Sequence, residues 1–165
     1  MSVQSSVQSS APSLAQASRT SLTHRAATVL AALGGLACLW FGLDFLFAPE
    51  TAAAGFGIPA WPEGQAAGYF GVKAARDLAN GAVILALLAL GRRRSLAWVM
   101  LLMTIAPVGD CLSVLSHGGS YAAALGIHAA TAAAVLVAAG LLFATSGPGR
   151  ESGRESGRAL DRSGV

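Results

Sequence analysis

Lys73, Arg76 and Asp77 stand within five residues of one another in the run YFGVKAARDLANGAVILALLAL (69–90). Two cations so close can hold an oxyanion or a carboxylate, and a carboxylate beside them can take or give a proton. Tyr69, Lys73, Arg76, Asp77 and Asn80 follow the i, i+4, i+7, i+8, i+11 pattern of one helical face, while the other face is Ala, Val, Leu and Phe. Asp44, Asp110 and His128 also interrupt apolar runs. Tyr69, Lys73, Arg76 and Asn80 are therefore candidate ligand-binding residues, and Asp77, Asp110 and His128 candidate proton-transfer groups in catalysis.

The chain of 165 residues is 54% apolar and 12% charged, whereas a soluble domain carries about 25% charge. That composition belongs to a membrane protein. The net charge of +3 does not indicate nucleic acid, because the basic residues flank apolar runs instead of lining one amphipathic face. Cys38 and Cys111 make no disulfide framework. No pair of His or Cys has metal-ligand spacing, so neither a metal nor a cofactor is expected. GFGIPA (55–60) fits GxGxxA formally, but no strand precedes it.

Four apolar segments, about 26–47, 68–91, 95–115 and 121–144, each approach the ~20 residues a helix needs to cross a bilayer. Backbone groups in lipid must bond within their own segment, so the expected fold is all-α, a four-helix transmembrane bundle over 26–144. Runs such as AALGGLA (31–37) and AATAAAVLVAAG (129–140) let helices approach closely. Residues 1–25 are Ser/Gln/Ala-rich and read as a disordered tail, though a transit peptide has the same composition. Residues 145–165 repeat GRES and read as a second disordered tail whose arginines could touch anionic lipid. Arg19, Arg25, Arg92–Arg94 and the tail arginines lie on one side, and the opposite loops carry only Glu50 and Glu63. The positive-inside rule then puts both termini of a multi-pass plasma-membrane protein in the cytoplasm.

Span lengths draw the charges into the membrane. Leu78–Gly91 is 14 residues, only ~21 Å of helix against ~30 Å of hydrocarbon. The helix must extend backward through Asp77 and Arg76 toward Lys73. Ser95–Gly109 is short in the same way and takes in Asp110. Asp44 and His128 sit ~6–11 Å from the same ends of their helices. A lone charge near the bilayer centre costs ~2.5–3.5 kcal/mol, so these groups should face inward and pair. Lys73 reaches Asp77 at i+4. Arg76 has Asp110 or Asp44 as partner across the bundle. A protonated His128 or one protonated Asp would neutralise the layer. Asp44 and His117 lie nearest the interface and read as solvated. Pro107, inside the third helix three residues before Asp110, reads either as a kink that shapes a pocket or as a tolerated membrane proline.

FAPETAAAGFGIP (47–59), YFGVKAARDLANG (69–81), APVGD (106–110), HGG (117–119) and His128 together resemble a family of small four-helix integral membrane proteins of bacteria and fungi. That family is catalogued as a domain of unknown function and is broadly DoxX-like in layout. The resemblance covers about 27–144 and implies a fold and a membrane address, but no reaction. Three function classes fit. The first is a membrane protein that binds, or transforms by acid–base chemistry, a lipophilic small molecule. The second is a structural or accessory subunit. The third is a proton- or ion-coupled transporter, which at four helices would need a homo-oligomer.

Overall fold

Ala- and Leu-rich helical runs, punctuated by Pro and Gly, set the order of elements. The computed structural model describes residues 14–147, and over them the chain is all-helical. Helix α1 spans Leu14–Phe47, α2 Pro49–Phe56, α3 Gly68–Ala89, α4 Arg93–Met103, α5 Ile105–Ser116 and α6 Tyr121–Thr145. A 3-10 turn, Gly64–Ala67, leads into α3, and a π-helical turn, Ala124–Ala129, interrupts α6. The expected tails lie outside the described residues at 1–13 and 148–165. Residues 14–25, expected to be unstructured, instead form the first turns of α1. Their Ala, Leu, Gln and Arg residues suit a helix once a packed segment continues it.

Each break has a local cause. Pro49 opens α2, where its fixed φ suits the first helical position. Gly57 closes it in the left-handed conformation at φ 98. Gly91, at φ 67, ends α3 in a Schellman motif: its N–H donates to the Leu88 carbonyl and the Arg92 N–H to that of Leu87. Pro107 has no N–H for the Met103 carbonyl and its ring crowds that oxygen. The chain accordingly breaks between α4 and α5 at Thr104, whose hydroxyl donates to the Met100 carbonyl at 3.1 Å.

Helix α1 packs chiefly on α3, and α4 on α6. The α1–α3 crossing is close because glycines line it. A Cβ at Gly81 would stand 2.7 Å from the Gly35 carbonyl oxygen, and one at Gly42 would stand 3.0 Å from that of Ala74. One core cluster fills the end near the α3–α4 turn, with Ala27, Ala31, Ile84, Leu96, Ala97, Met100 and Leu142 buried. A second, aromatic cluster of Phe45, Ala52, Ala53 and Ala74, joined by Phe56 and Phe70, fills the α2 end.

Large apolar side chains point outward. Leu33, Trp40, Phe47, Leu102, Ile105 and Val137 are each more than half exposed, while many buried positions are alanine. A water-soluble bundle would reverse that arrangement. Ser18–Phe47, Arg93–Ser116 and Tyr121–Thr145 are long and apolar enough to cross a membrane. Three helices meet that standard where four were expected. Helix α3 has 22 residues, or ~33 Å of length, but carries Lys73, Arg76 and Asp77.

Candidate functional site

The aromatic cluster at the α2 end surrounds one cation. Lys73 lies on α3 one turn before Asp77, and its Nζ donates to Asp77 Oδ2 at 2.6 Å. The same ammonium stands 4.8 Å from the Phe45 ring centroid and 5.4 Å from that of Phe56. Ring faces attract a cation most when water is excluded. Phe45 meets Phe56 edge-on at 6.4 Å and Phe70 at 6.0 Å. Lys73 is thus held by a carboxylate and two rings.

Asp77 is buried to 9% exposure. Its second oxygen, Oδ1, faces Arg76 Nε at 3.6 Å. Two cations therefore share one carboxylate. The expected bridge from Arg76 to Asp110 or Asp44 does not form: the Arg76 side chain pairs with Asp77 instead. Arg76 follows Lys73 by three residues and its side chain is half exposed at the helix surface, so the adjacent Asp77 is the nearer partner. Asp110, half-buried on α5, is within electrostatic reach of Lys73, Arg76, Asp77 and His128 without contacting them.

An open cavity of about 190 Å³ lies against this group. Its walls include Phe45, Phe56, Phe70, Trp61 and Ile58, together with the small residues Ala53 and Ala60. Tyr69, mostly exposed, stands at the wall, and Lys73 is the charged residue in the lining. The cavity is an apolar space with one cation, a form suited to an amphipathic molecule.

His128 stands behind Phe56, outside the cavity lining. It is buried within the π turn, and its Nε2–H donates to the Phe56 carbonyl at 2.8 Å. Its ring lies 4.6 Å from the Phe56 ring. That carbonyl belongs to the last residue of α2, where helix oxygens lack intrahelical donors. A π turn shifts the following side chains around the helix and often marks a site. The contact is tightened by glycines: a Cβ at Gly57 would meet Ala123, and one at Gly119 would meet the Gly57 carbonyl oxygen.

The remaining predicted residues separate from this group. Asn80 is half-buried on α3 and absent from the cavity lining. Asp44 is half-buried beside Phe45. His117 is exposed at the end of α5, where its Nδ1 is 2.8 Å from the Ser113 carbonyl oxygen. Among the described residues no group of His, Cys, Asp or Glu could hold a metal.

Sequence reasoning missed three participants. Helix α2 carried a readable signal in Pro49 and Gly57, which frame PETAAAGF. Phe45, Phe56 and Phe70 had no such signal, because they converge from three elements. Arg93, at the opposite end, was read only as a topological charge. It donates to Thr28 Oγ1 at 2.9 Å, to Thr145 Oγ1 at 3.1 Å and to the His24 carbonyl at 3.4 Å, which joins α1, α4 and α6.

A family model described as a domain of unknown function (DUF4267) matches residues 35–142, well over half of the chain, and the chain belongs to that family. The match takes in α2, the cavity walls, the charged face of α3 and His128. No curated protein and no solved structure matches the chain.

Proposed function

We propose that this member of the DUF4267 family is a multi-pass plasma-membrane protein that binds, or transforms by acid–base chemistry, a lipophilic small molecule at the α2 end. One observation carries the reading: an open apolar cavity of about 190 Å³ whose charged lining residue, Lys73, is fixed by Asp77 and two rings. Lys73 anchors a polar head, and Tyr69 and Arg76 flank its path. Asp77, Asp110 and His128 are the groups available to exchange protons with it. A fourth crossing, by α3, belongs to this reading and is supported by its length of 22 residues and its packing along α1. Both termini are then cytoplasmic, with Arg92–Arg94 on that side and the cavity toward the outer face.

Native mass spectrometry of the purified protein tests the reading. A bound small molecule should appear with the wild type and disappear with Ala60→Trp, which fills the cavity from its exposed wall. An unliganded spectrum from wild type and variant alike, after incubation with lipid extract, would refute it.

A second reading draws on the fact that Lys73, Arg76 and Asp77 pair among themselves. Such a network can fix the rotation of α3 in an accessory subunit. Buried ion pairs add little stability over apolar packing, so that role would be one of specificity.

A further inference from the structure

We infer that the ligand of the α2-end cavity is a single-ring compound bearing one negative charge, such as an aryl or cycloalkyl carboxylate. The inference rests on the binding reading above and narrows it to a chemical class by size, wall shape and charge.

Size sets the first limit. An engineered apolar cavity of about 150 Å³ takes up benzene. A space of about 190 Å³ therefore holds one ring with a small substituent. A long acyl chain would leave most of its length outside.

Wall shape favours a ring. Phe45, Phe56, Phe70 and Trp61 all line the cavity. Flat π surfaces gain by offset or edge-on contact with another ring, beyond the area they bury. Phe45 already meets Phe56 edge-on and Phe70 at a tilt, so the walls are set before a ligand arrives.

Charge sets the head group. Lys73 and Arg76 share the single carboxylate of Asp77, which leaves one positive charge in excess within the paired group. Asp110 acts on both cations from a distance and forms an ion pair with neither. An ammonium has three N–H donors. Among the described residues Lys73 gives one to Asp77, its one oxygen acceptor there, and otherwise stands over the Phe45 and Phe56 rings, weaker partners than an anion. A carboxylate entering the cavity can accept from the others and cancel the excess. A dianion would overcompensate it, because the excess within the paired group is a single charge. A cation would meet Lys73 with like charge.

The test uses the full chain in lipid nanodiscs and the fluorine resonances of three probes: fluorobenzoate, its neutral isostere fluorobenzamide, and a fluorinated long-chain fatty acid. Fluorobenzoate should show saturable broadening that is lost with Ala60→Trp and with Lys73→Met. The amide should bind about tenfold more weakly or worse, the loss expected when a charge-assisted hydrogen bond becomes a neutral one. Equal binding of acid and amide would overturn the charge assignment. Tighter, Ala60→Trp-sensitive binding of the fatty acid would overturn the ring assignment. Either result leaves the cavity reading intact. No Ala60→Trp-sensitive broadening with any probe would overturn both. If Lys73→Met does not fold, Ala60→Trp and the acid–amide comparison still decide.

Discussion

His128 donates from Nε2 to the Phe56 carbonyl oxygen at 2.8 Å, across 72 positions of sequence. The bond fastens α2 to the π turn of α6. It also fixes Phe56, whose ring lies against His128 on one side and lines the cavity on the other. A buried side chain on the last helix thus supports the wall of a pocket built largely from the first half of the chain.

His128→Phe keeps the ring contact and removes the donor. The Phe56 carbonyl then loses its buried partner, a loss worth about 1–3 kcal/mol. The expected result is a lower unfolding temperature and faster amide exchange over 49–62, with helix content unchanged. Exchange as slow as in the wild type would show that α2 is held by packing alone.

Two helical glycines, one in the α1–α3 crossing and one on the open side of α6, should respond in opposite directions to alanine. Gly81→Ala forces a Cβ against the Gly35 carbonyl oxygen and separates the helices, a steric cost of about 1–3 kcal/mol. Gly140→Ala meets nothing within 4 Å and should stabilise by about 0.4–1 kcal/mol through the unfolded chain. Thermal unfolding in one detergent compares them directly.

Asp77→Asn leaves Lys73 and Arg76 without an anion at contact distance. Removing one partner of a buried pair costs about 3–5 kcal/mol, and less here because the Lys73 side chain is 22% exposed. The double change Lys73→Met with Asp77→Leu should recover most of the folded yield. If it also recovers ligand binding, Lys73 is no anchor.

Arg93→Lys should destabilise the end opposite the cavity. A lysine ammonium lacks the planar fork that reaches Thr28, Thr145 and the His24 carbonyl together. A loss of about 1–2 kcal/mol is expected from these bonds. Arg94→Lys, at an exposed neighbouring position, serves as the comparison and should leave chemical denaturation unchanged.

The sequence by itself determined the all-helical class, the apolar surface suited to lipid and the charged face of α3. Those properties are local. A helix length follows from 1.5 Å per residue, and a helical face follows from the period. The Lys73–Asp77 contact was legible for the same reason, since i and i+4 are neighbours on any helix. Pro107 marked the third segment as a place for a kink, and the chain breaks three residues before it, at Thr104.

Tertiary structure alone decided which distant groups meet. Span arithmetic placed Asp110, His128 and Arg76 at similar depth but could not fix helix rotation or separation. Arg76 therefore turned to its neighbour Asp77 instead of crossing to Asp110, and His128 turned to a backbone carbonyl on α2. The cavity exists because α2 folds back under that bond, bringing Phe56 beside Phe45 and Lys73. Side chains with no shared periodicity become a site only when backbone contacts, here through Gly57 and Gly119, bring their helices together.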